Sequence, residues 1–316
     1  MNNKDKYRLF CESRHVPLFH QAWWLDIVTE GKWDVALSED KSGDIRAVMP
    51  FNLVKKYGFY FSLQAELSPY WGPVMFYPDD LTKQNSLYSF QNRHLNTIIK
   101  QLPQSPLYQY YKFLPEFDNW YPFYLAGYEQ TTRYTYILGQ IKNHENVYAG
   151  FSNTLKRQIK KAQKHVKITI EDNICSVFSL VKKANNNEDI KLKLNKSRLQ
   201  ALDFELKKRN QRMILIARDE NATLLAGLYL VWDSDKAYLL ALGSDYAREQ
   251  YHAAKLLAWE AVKRSSVYVD KFDFEGSMIE GVERMYKNFG GVKTPYFEIK
   301  KYKNRFVKAA FSLLNR

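Results

Sequence analysis

The first half of the chain alternates patterns typical of helices with short runs typical of strands. The apolar spacing over residues 19–28 predicts a helix. Two runs rich in β-branched and aromatic residues, 33–38 and 45–53, flank a Ser42-Gly43 turn and predict a β-hairpin. The other predicted elements of this half are a helix over 87–101 and strands over 108–114 and 132–138.

The second half begins with a capped helical stripe. Ser152 is a predicted N-cap, and Leu155, Ile159, Ala162 and Val166 recur at the spacing of one buried helix face. Further patterns predict helices over 197–209, 249–263 and 280–288 and strands over 213–218, 224–232, 236–243, 267–275 and 296–300. After the first of these helices the order is β-β-β-α-β-α-β, which favours an α/β (α+β) fold with a mixed sheet and helices on its faces.

A predicted strand near residue 271 ends on two carboxylates. Along this strand Phe272 and Phe274 should face one side while Asp273 and Glu275 face the other. Polar groups at the end of a strand that leads into a helix lie where α/β proteins usually bind ligands. Such a carboxylate could hold an incoming ammonium and accept its proton. Alternatively, Asp273 pairs with a neighbouring cation and Glu275 caps the next turn.

The residues after these carboxylates predict a short amphipathic helix with a firm end. Gly290 stands where a helix C-cap favours a positive φ. Ser277, just before the helix, either caps it or donates a hydrogen bond to a ligand. The apolar stripe of this helix consists of Ile279, Val282, Met285, Tyr286 and Phe289.

Chain length and composition predict two folded domains. A chain of 316 residues can bury two cores, and 46% hydrophobic with 16% aromatic residues argues against disorder. We expect a first domain over residues 1–145 and a second over residues 146–316, with the last residues packing back on the first domain.

The sequence also argues against several classes of protein. No apolar run approaches the ~18 residues of a transmembrane helix, and the polar N-terminus lacks the apolar core of a signal peptide. Cys11 and Cys175 cannot form a disulfide framework, so a reducing cytoplasmic location is expected. The six histidines show no zinc-ligand spacing, and no metal site is expected.

Positive charge is concentrated in the second half. Residues 1–145 hold 15 Lys+Arg and 15 Asp+Glu, whereas residues 146–316 hold 32 and 19 and therefore the whole net charge of +13. Such a field favours an anionic partner: a nucleic acid, a nucleotide-linked or lipid-linked phosphate, or an anionic membrane surface. Lysines also commonly serve only to solvate a helix. The candidate contacts on the first predicted helix of this half are Lys156, Arg157, Lys160 and Lys161.

Several segments together resemble the GNAT acyltransferases. The strand and helix order of the second half resembles the GNAT core, and five segments are similar to the FemAB-like branch, whose members carry two GNAT-like domains in one chain. These segments are Trp120-Tyr121-Pro122-Phe123, Glu129–Tyr136, Leu155–Ala162, Gly243-Ser244-Asp245 and Asp273–Gly291.

The resemblance implies two GNAT-like domains, the first degenerate, each with a mixed central sheet flanked by helices. It also implies an N-acyltransferase that moves an acyl or aminoacyl group from aminoacyl-tRNA or acyl-CoA to an amine of a cell-envelope precursor, such as a peptidoglycan precursor. No tightly bound cofactor is expected, and acyl-CoA would act as a co-substrate. Such chemistry needs no covalent nucleophile, which agrees with the absence of a GxSxG motif.

Two positions of the GNAT pattern can be carried over to this sequence. The loop [Gln/Arg]-x-x-Gly-x-[Gly/Ala], which binds the acyl-CoA pyrophosphate, resembles the run Arg248-Glu249-Gln250-Tyr251-His252-Ala253. Tyr251 replaces the first glycine, which puts CoA binding in doubt because that glycine lets backbone amides approach the phosphate. Arg248 and His252 would otherwise be an ordinary exposed helix start. The tyrosine that often protonates the leaving group corresponds to Tyr286, although its apolar stripe equally suits core packing.

Arg133, Tyr134 and Tyr136 lie at the expected junction of the two domains and are candidates to line an acceptor cleft, although half-buried strand residues show the same pattern. The basic second half and Tyr251 favour a tRNA donor, while the short 171–211 region leaves little space for the long helical arm of some tRNA-using relatives. The alternative function is a non-catalytic, degenerate module whose basic domain binds nucleic acid, an anionic lipid or a nucleotide-linked ligand.

Overall fold

The structure is a computed structural model that describes residues 1–184, 195–276 and 278–314. The chain forms two compact units, Met1–Arg133 with Pro295–Arg316, and Tyr134–Thr294. Among the described residues the helices are α1 Asn3–Ser13, α2 Ala22–Thr29, α3 Gln84–Gln101, α4 Tyr121–Leu125, α5 His144–Ala149, α6 Asn153–Ala162, α7 Cys175–Ala184, α8 Lys196–Lys208, α9 Ala253–Ser265, α10 Glu280–Lys287 and α11 Arg305–Leu314. The strands are β1 Trp33–Glu39, β2 Ile45–Lys56, β3 Phe59–Leu63, β4 Val74–Met75, β5 Tyr108–Lys112, β6 Glu129–Gly139, β7 Lys167–Glu171, β8 Arg212–Arg218, β9 Leu224–Trp232, β10 Ala237–Ser244, β11 Lys271–Asp273 and β12 Val292–Tyr302.

The first unit is built on a mixed sheet. The predicted hairpin is confirmed, since β1 and β2 pair antiparallel from Trp33 opposite Asn52 to Glu39 opposite Ile45. Strand β2 continues antiparallel to β3, β3 runs parallel to β5, and β5 is antiparallel to β12. Helix α3 packs on β1 and β2. The parallel and antiparallel pairs together give the mixed sheet that the sequence predicts.

The strands of the second unit pair in a mixed parallel and antiparallel pattern, with helices on both faces. Its strand order is β6-β11-β10-β9-β8-β7, with β10 and β11 parallel and the other neighbours antiparallel. On one face Leu228 and Leu230 of β9 pack with residues of α6 and α9. On the other face α7 lies so close to β10 that a Cβ on Gly243 would collide with the backbone nitrogen of Val181. A glycine at residue 243 is therefore required for this helix to cover the sheet.

The start of the second unit follows the sequence prediction closely. Ser152 is the N-cap of α6, and its Oγ accepts a hydrogen bond from the backbone N–H of Leu155 at 3.2 Å. Leu155, Ile159 and Ala162 are buried in the core of this unit, as the stripe predicts. Gly290 has the predicted positive φ, +73°, shortly after the end of α10. Local patterning is thus sufficient to define these elements.

Three predicted elements are divided or shorter than predicted. The helix over 19–28 is split into a 3₁₀ turn, Leu18–His20, and α2. The helix over 249–263 begins later, at Ala253, because a 3₁₀ turn and a left-handed residue precede it. The strand over 267–275 is reduced to Lys271–Asp273, since the chain turns immediately afterwards. In each case extended or left-handed backbone interrupts a pattern whose side chains would permit the longer element.

Some short or polar elements are not predicted from the sequence. Most of them span few residues, which leaves little length for a periodic pattern. Most lie outside the segments that form the candidate site. These elements are α1, α4, α5, α7, α11, β3, β4 and β7.

Candidate active site

Strands β10 and β11 separate after a brief parallel contact. Their ladder consists of two residue pairs and ends at Tyr238 and Asp273, whereas β10 continues to Ser244 with its other edge paired to β9. A register shift between Leu239 and Ala241 marks a bulge along β10. The gap that opens between β10 and the end of β11 leaves a strand edge to which an extended ligand could hydrogen-bond.

Asp273 is completely buried at the end of β11. Thr135 Oγ1 donates to Asp273 Oδ1 at 2.5 Å, and the backbone N–H of Glu275 donates to the same oxygen at 2.8 Å. The second bond joins a carboxylate to the backbone two residues on, which is the geometry by which aspartate stabilises a turn. Asp273 therefore holds the turn that ends β11 and presents Glu275.

Glu275 and Gly276 both adopt left-handed backbone, with φ of +59° and +62°. A Cβ at position 276 would collide with the carbonyl oxygen of Tyr134, so residue 276 must be glycine. A glutamate rarely adopts this conformation, and here the turn imposes it. Glu275 thus does not continue the strand as predicted; its half-buried carboxylate leaves the sheet at the turn.

Tyr286 of α10 is buried next to this turn. Its ring stacks on Phe274, with centroids 4.9 Å apart and planes inclined by 27°. Burial, and then the charges of Glu275 and of nearby Tyr246, raise the pKa of Tyr286 well above its ordinary value. The hydroxyl therefore stays protonated at neutral pH. The structure brings Glu275 and Tyr286 together, and Asp273 holds the turn on which Glu275 lies.

Tyr134 and Tyr136, predicted for an acceptor cleft, belong to the second unit. The hydroxyl of Tyr136 donates to Glu283 of α10, and burial together with this carboxylate raises the pKa of Tyr136 to about 12. The ring of Tyr134 lies 4.0 Å from Lys293 Nζ, in a cation–π contact. Both tyrosines thus lie on the strand that borders the Glu275 turn.

Arg133, predicted for the same cleft, belongs to the first unit and has an internal partner there. Its Nε donates to Glu298 at 2.9 Å, while Tyr110 and Lys300 bond the same carboxylate at 2.9 and 2.7 Å. Burial would raise the pKa of Glu298, but the hydrogen bonds from Arg133, Lys300 and Tyr110 outweigh it and lower the pKa to about 2. Arg133 therefore neutralises a buried carboxylate.

The loop between β10 and α9 carries Arg248, Tyr251 and His252. Arg248 lies 3.6 Å from Asp219 and 3.8 Å from Asp245, and Tyr251 is half-buried against the core. A phosphate approaching Arg248 would have to compete with both carboxylates. The loop therefore differs from a simple phosphate cradle in its charge as well as in its missing glycine.

His252 is the left-handed residue, φ +54°, that precedes α9. Burial, followed by the charges of Lys255 and Lys161, lowers its pKa, so the imidazole is neutral at pH 7. Its Nδ1 is buried and has no hydrogen-bond partner among the described residues. The electrostatic influence of Lys161 shows that the basic helix α6 approaches this loop.

The cations of α6 divide into two groups. Lys156 Nζ donates to the carbonyl of Ala149 at 2.7 Å, and Arg157 lies 3.5 Å from Thr154 Oγ1. Lys160 and Lys161 lie in the last turn of the helix and, like Arg157, are exposed. The second pair is thus better placed than the first to meet an anionic ligand.

Ser277, the remaining predicted site residue, lies outside the described residues. Sequence reasoning missed Thr135, Tyr246 and Glu283, which contact or influence the predicted site. Glu283 could have been found, since it lies three residues before Tyr286 on the same helix face. Thr135 could not, because its role depends on the pairing of β6 with β11.

Several general properties of the described residues also bear on the site. Neither cysteine is in a disulfide, and both Cys11 and Cys175 are half-buried. No group of three or more His, Cys, Asp and Glu side chains within the described ranges is arranged to hold a metal ion. No helix in the described part of the chain is both long and apolar enough to cross a membrane.

Residues 149–287 match the family described as the acetyltransferase (GNAT) domain. This range includes Asp273, Glu275 and Tyr286, together with the whole loop before α9. No curated protein matches the chain by sequence.

Solved structures match the chain over nearly its full length. FemX shares 11% identity and a TM-score of 0.64 over 93% of this chain and 95% of its own. The C-terminal domain of a putative lysylphosphatidylglycerol synthetase from Agrobacterium fabrum shares 9% identity and a TM-score of 0.55, covering 98% and 95%. L-PGS from Bacillus licheniformis shares 10% identity and a TM-score of 0.54 over 98% of this chain and 94% of its own. The predicted resemblance is confirmed: the chain contains a GNAT acetyltransferase domain in residues 149–287 and has the fold of FemX.

Proposed function

We propose that the chain is an N-acyltransferase that moves an acyl or aminoacyl group from an activated donor to an amine of a cell-envelope precursor. The observation that carries this proposal is the Glu275 turn beside Tyr286, at the point where β10 and β11 separate inside a GNAT domain. One group can accept a proton there, and the other can donate one.

The proposed reaction begins with the acceptor ammonium next to Glu275. The carboxylate accepts a proton from the ammonium, and the neutral amine attacks the carbonyl carbon of the donor. A C–N bond forms, and the bond from the carbonyl carbon to sulfur or oxygen breaks. As the amide forms, the Tyr286 hydroxyl gives its proton to the departing sulfur or oxygen, and the second proton of the nitrogen passes to the resulting phenolate and restores the hydroxyl. Glu275 releases the first proton to solvent. The raised pKa of Tyr286 keeps that proton available at neutral pH.

Asp273 has a different role in this proposal. Its Oδ1 already accepts from Thr135 and from the backbone N–H of Glu275. We therefore treat Asp273 as a positioning residue that fixes the Glu275 turn. Because Oδ1 of Asp273 is already engaged by these two hydrogen bonds, it is poorly placed to accept a proton from the amine.

The charge distribution favours aminoacyl-tRNA over acyl-CoA as the donor. Tyr251 stands at the glycine position of the pyrophosphate loop, and Arg248 is balanced by Asp219 and Asp245. The exposed Lys160 and Lys161 would instead attract the phosphates of a larger nucleic acid. We place Lys156 and Arg157 at the edge of the same contact, with Tyr134 and Tyr136 towards the acceptor.

One of the structural neighbours bears on the acceptor. The synthetase from Agrobacterium fabrum is named for a product that joins lysine to phosphatidylglycerol, a membrane lipid. Aminoacyl transfer to an envelope component is therefore compatible with this fold, and we propose an amine-bearing envelope precursor as the acceptor here.

A donor panel tests the proposal. The purified chain is incubated with charged tRNA or with acyl-CoA and a set of amine-bearing peptidoglycan-precursor peptides, and products are identified by mass spectrometry. We expect an amide product from charged tRNA and little or none from acetyl-CoA. Product from acetyl-CoA alone would refute the donor assignment, and no amide product from either donor would refute the enzyme assignment.

A further inference from the structure

The hairpin between β2 and β3 ends in an exposed aromatic side chain. Tyr57 and Gly58 form its two-residue turn, with φ of +51° and +82°, the signs of a type I′ turn. This turn favours asparagine before glycine, and a bulky residue with positive φ is unusual. Yet Tyr57 is 95% exposed. Neither backbone preference nor burial explains a tyrosine at this tip.

The surroundings of Tyr57 combine aromatic rings with positive charge. Phe59 and Tyr60 are 54% and 45% exposed on the returning strand. Lys55 and Lys56 are exposed on the outgoing strand, and Lys55 Nζ lies 5.7 Å from the ring of Tyr60. The sequence from residue 53 to residue 63 contains no Asp or Glu. The tip therefore presents apolar rings and cations without a compensating carboxylate of its own.

Helix α11 presents a second surface of the same character. Phe306 and Leu313 are 72% and 73% exposed, and their spacing of seven residues places them on one helix face. The exposed Ala310 lies between them on that face. Lys303 and Arg305 are exposed at the start of the helix, and no Asp or Glu occurs from residue 299 to the end of the chain.

The two surfaces are neighbours within the first unit. On its inner side, Phe311 of α11 packs against Phe61 of β3 and Tyr108 of β5, with ring centroids 6.5 and 4.9 Å apart. Phe59 is two residues from Phe61 towards the tip and lies on the same face of β3. Helix α11 therefore covers the sheet immediately beside the hairpin tip.

We propose that these two elements form a docking surface for an anionic lipid bilayer. The docking surface consists of Lys55, Lys56, Tyr57, Phe59, Phe306 and Leu313. Aromatic and aliphatic side chains enter the headgroup boundary while lysines interact with anionic headgroups, the combination typical of proteins that lie on a membrane. Charge complementarity favours an anionic over a neutral surface. A nucleic acid would engage the cations but would gain little from Phe306 and Leu313.

The docking surface lies entirely in the first unit, whereas Glu275 and Tyr286, which carry the proposed chemistry, belong to the second. It does not depend on the identity of the donor or on whether acyl transfer occurs. Binding to lipid and catalysis can therefore be measured separately.

Vesicle flotation with the full chain tests this proposal. The two probes are phosphatidylcholine vesicles and vesicles in which roughly one third of the lipid is phosphatidylglycerol. We expect binding only to the anionic vesicles, weakened by salt. Replacing Lys55 and Lys56 by Gln should lower the partition coefficient about fivefold for each cation, the equivalent of ~1 kcal/mol. Tyr57→Asn with Phe306→Ser should lower it at least about tenfold.

Matched variants control for unspecific effects. Lys41→Gln with Lys100→Gln removes two exposed cations elsewhere in the same unit, and Tyr121→Ser with Tyr124→Ser removes two exposed aromatic rings. These controls should bind vesicles as the wild type does. Asparagine suits the left-handed turn at residue 57, so that substitution should not impair folding.

Three results would overturn the proposal. The first is equal binding to neutral and anionic vesicles, or binding to neither. The second is wild-type binding by the tip and α11 variants. The third is a wild-type dimer, seen by sedimentation equilibrium, that the same variants convert to a monomer, because the surface would then be a contact between two copies of the chain.

Discussion

Glu275 stands between a buried carboxylate that fixes its backbone and a buried phenol whose pKa its charge raises. Its left-handed backbone belongs to the turn that follows β11 and does not continue the strand. Strained backbone of this kind persists only where the surroundings impose it, and it occurs often at functional sites. The hydrogen bond that the backbone N–H of Glu275 donates to Asp273 and the close packing of Gly276 impose it here.

Replacing Tyr286 by Phe should lower kcat by about 100-fold or more, because the leaving group loses its proton donor. The change in KM should be small, since the ring and its stacking on Phe274 are kept. In the wild type, the raised pKa of Tyr286 should keep kcat from declining until the pH exceeds the ordinary tyrosine value of about 10. A kcat profile against pH measures both effects.

Tyr268→Phe is the matched control, since Tyr268 is an exposed phenol whose ring stacks on Trp232 and not on Phe274. It should leave kcat unchanged. A Tyr286→Phe enzyme with wild-type kcat at every pH would remove the proton-donor role and leave Tyr286 a core residue.

Asp273 should tolerate Asn much better than Ala. Asparagine keeps an Oδ1 that can accept from both Thr135 and the backbone of Glu275, so the turn survives. Alanine removes both bonds, and displacement of Glu275 should cost about 100-fold in kcat/KM. Steady-state kinetics of the two variants distinguish the roles: equal loss in Asn and Ala would indicate that the charge of Asp273 itself is needed.

At the level of single residues the sequence identifies chemical types better than geometry. Asp273, Glu275 and Tyr286 are recognisable from a strand end, alternation and a family pattern. Alternation predicts that Glu275 continues the strand. In the structure the chain turns at Glu275 and Gly276, and Gly276 packs against the carbonyl of Tyr134, a residue far away in the sequence. The internal pairing of Arg133 with Glu298 is equally invisible, since these residues are 165 positions apart.

Among helices and strands, local signals define α6 and its cap, but not the start of α9. A capping serine and an apolar stripe are both contained within a few residues, so the sequence is enough. The start of α9 depends on the left-handed backbone of His252, which no local pattern indicates. The limits of β11 depend likewise on a turn fixed by Thr135 of another strand.

Ser152→Ala should lower the free energy of unfolding by about 1 kcal/mol, because the backbone N–H of Leu155 loses its capping acceptor. Urea denaturation followed by circular dichroism measures this change. Ser179→Ala is a suitable control, since the Oγ of Ser179 bonds a carbonyl within α7 and caps no helix start. Equal effects of the two substitutions would contradict a capping role.

Lys160→Glu with Lys161→Glu should weaken tRNA binding and make it less sensitive to salt. Removing one lysine–phosphate interaction should reduce the slope of log affinity against log salt by about 0.7 to 0.9. Filter binding over a series of salt concentrations gives the slope. Lys196→Glu with Lys208→Glu on α8 is the control of equal charge change. If both pairs reduce the slope equally, the effect reflects net charge and not an interaction at α6.

For the chain as a whole, the order of elements and the composition predict the class of fold and the asymmetry of charge. Fold class follows from the order of elements, which survives errors in their ends. The match to FemX over 93% of the chain likewise reflects the arrangement of helices and strands and not the identity of residues, since only 11% of residues are identical. The first compact unit is discontinuous in sequence, as residues from Pro295 onward belong with it. We expect from the sequence that the last residues pack on the first domain, but the pairing of β12 with β5 that carries this return is long-range, and no local pattern reveals its register.

Stability in acid should depend on Glu298. Its pKa, about 2 in the folded chain, lies below the ordinary value of 4.5, so its stabilising contribution is present above that value and is lost as pH falls from about 4.5 to 2. Glu298→Gln should cost about 3 kcal/mol at neutral pH, because Arg133 and Lys300 lose their shared carboxylate. The variant should also lose less stability than the wild type over this acid range.

Urea titrations at a series of pH values measure this difference. Glu280→Gln, at an 84% exposed carboxylate, is the control and should behave as the wild type. Parallel pH dependence of the wild type and Glu298→Gln would show that the buried cluster does not govern stability in acid.

The most direct test of the central claim is the rate of amide formation by the wild type and by Glu275→Gln. Glutamine has nearly the same shape but cannot take the proton of the ammonium. With a folded variant, confirmed by its circular dichroism and melting temperature, the account predicts an amide product from the wild type and a rate at least about 100-fold lower from the variant. Amide formation by Glu275→Gln at the wild-type rate would contradict it.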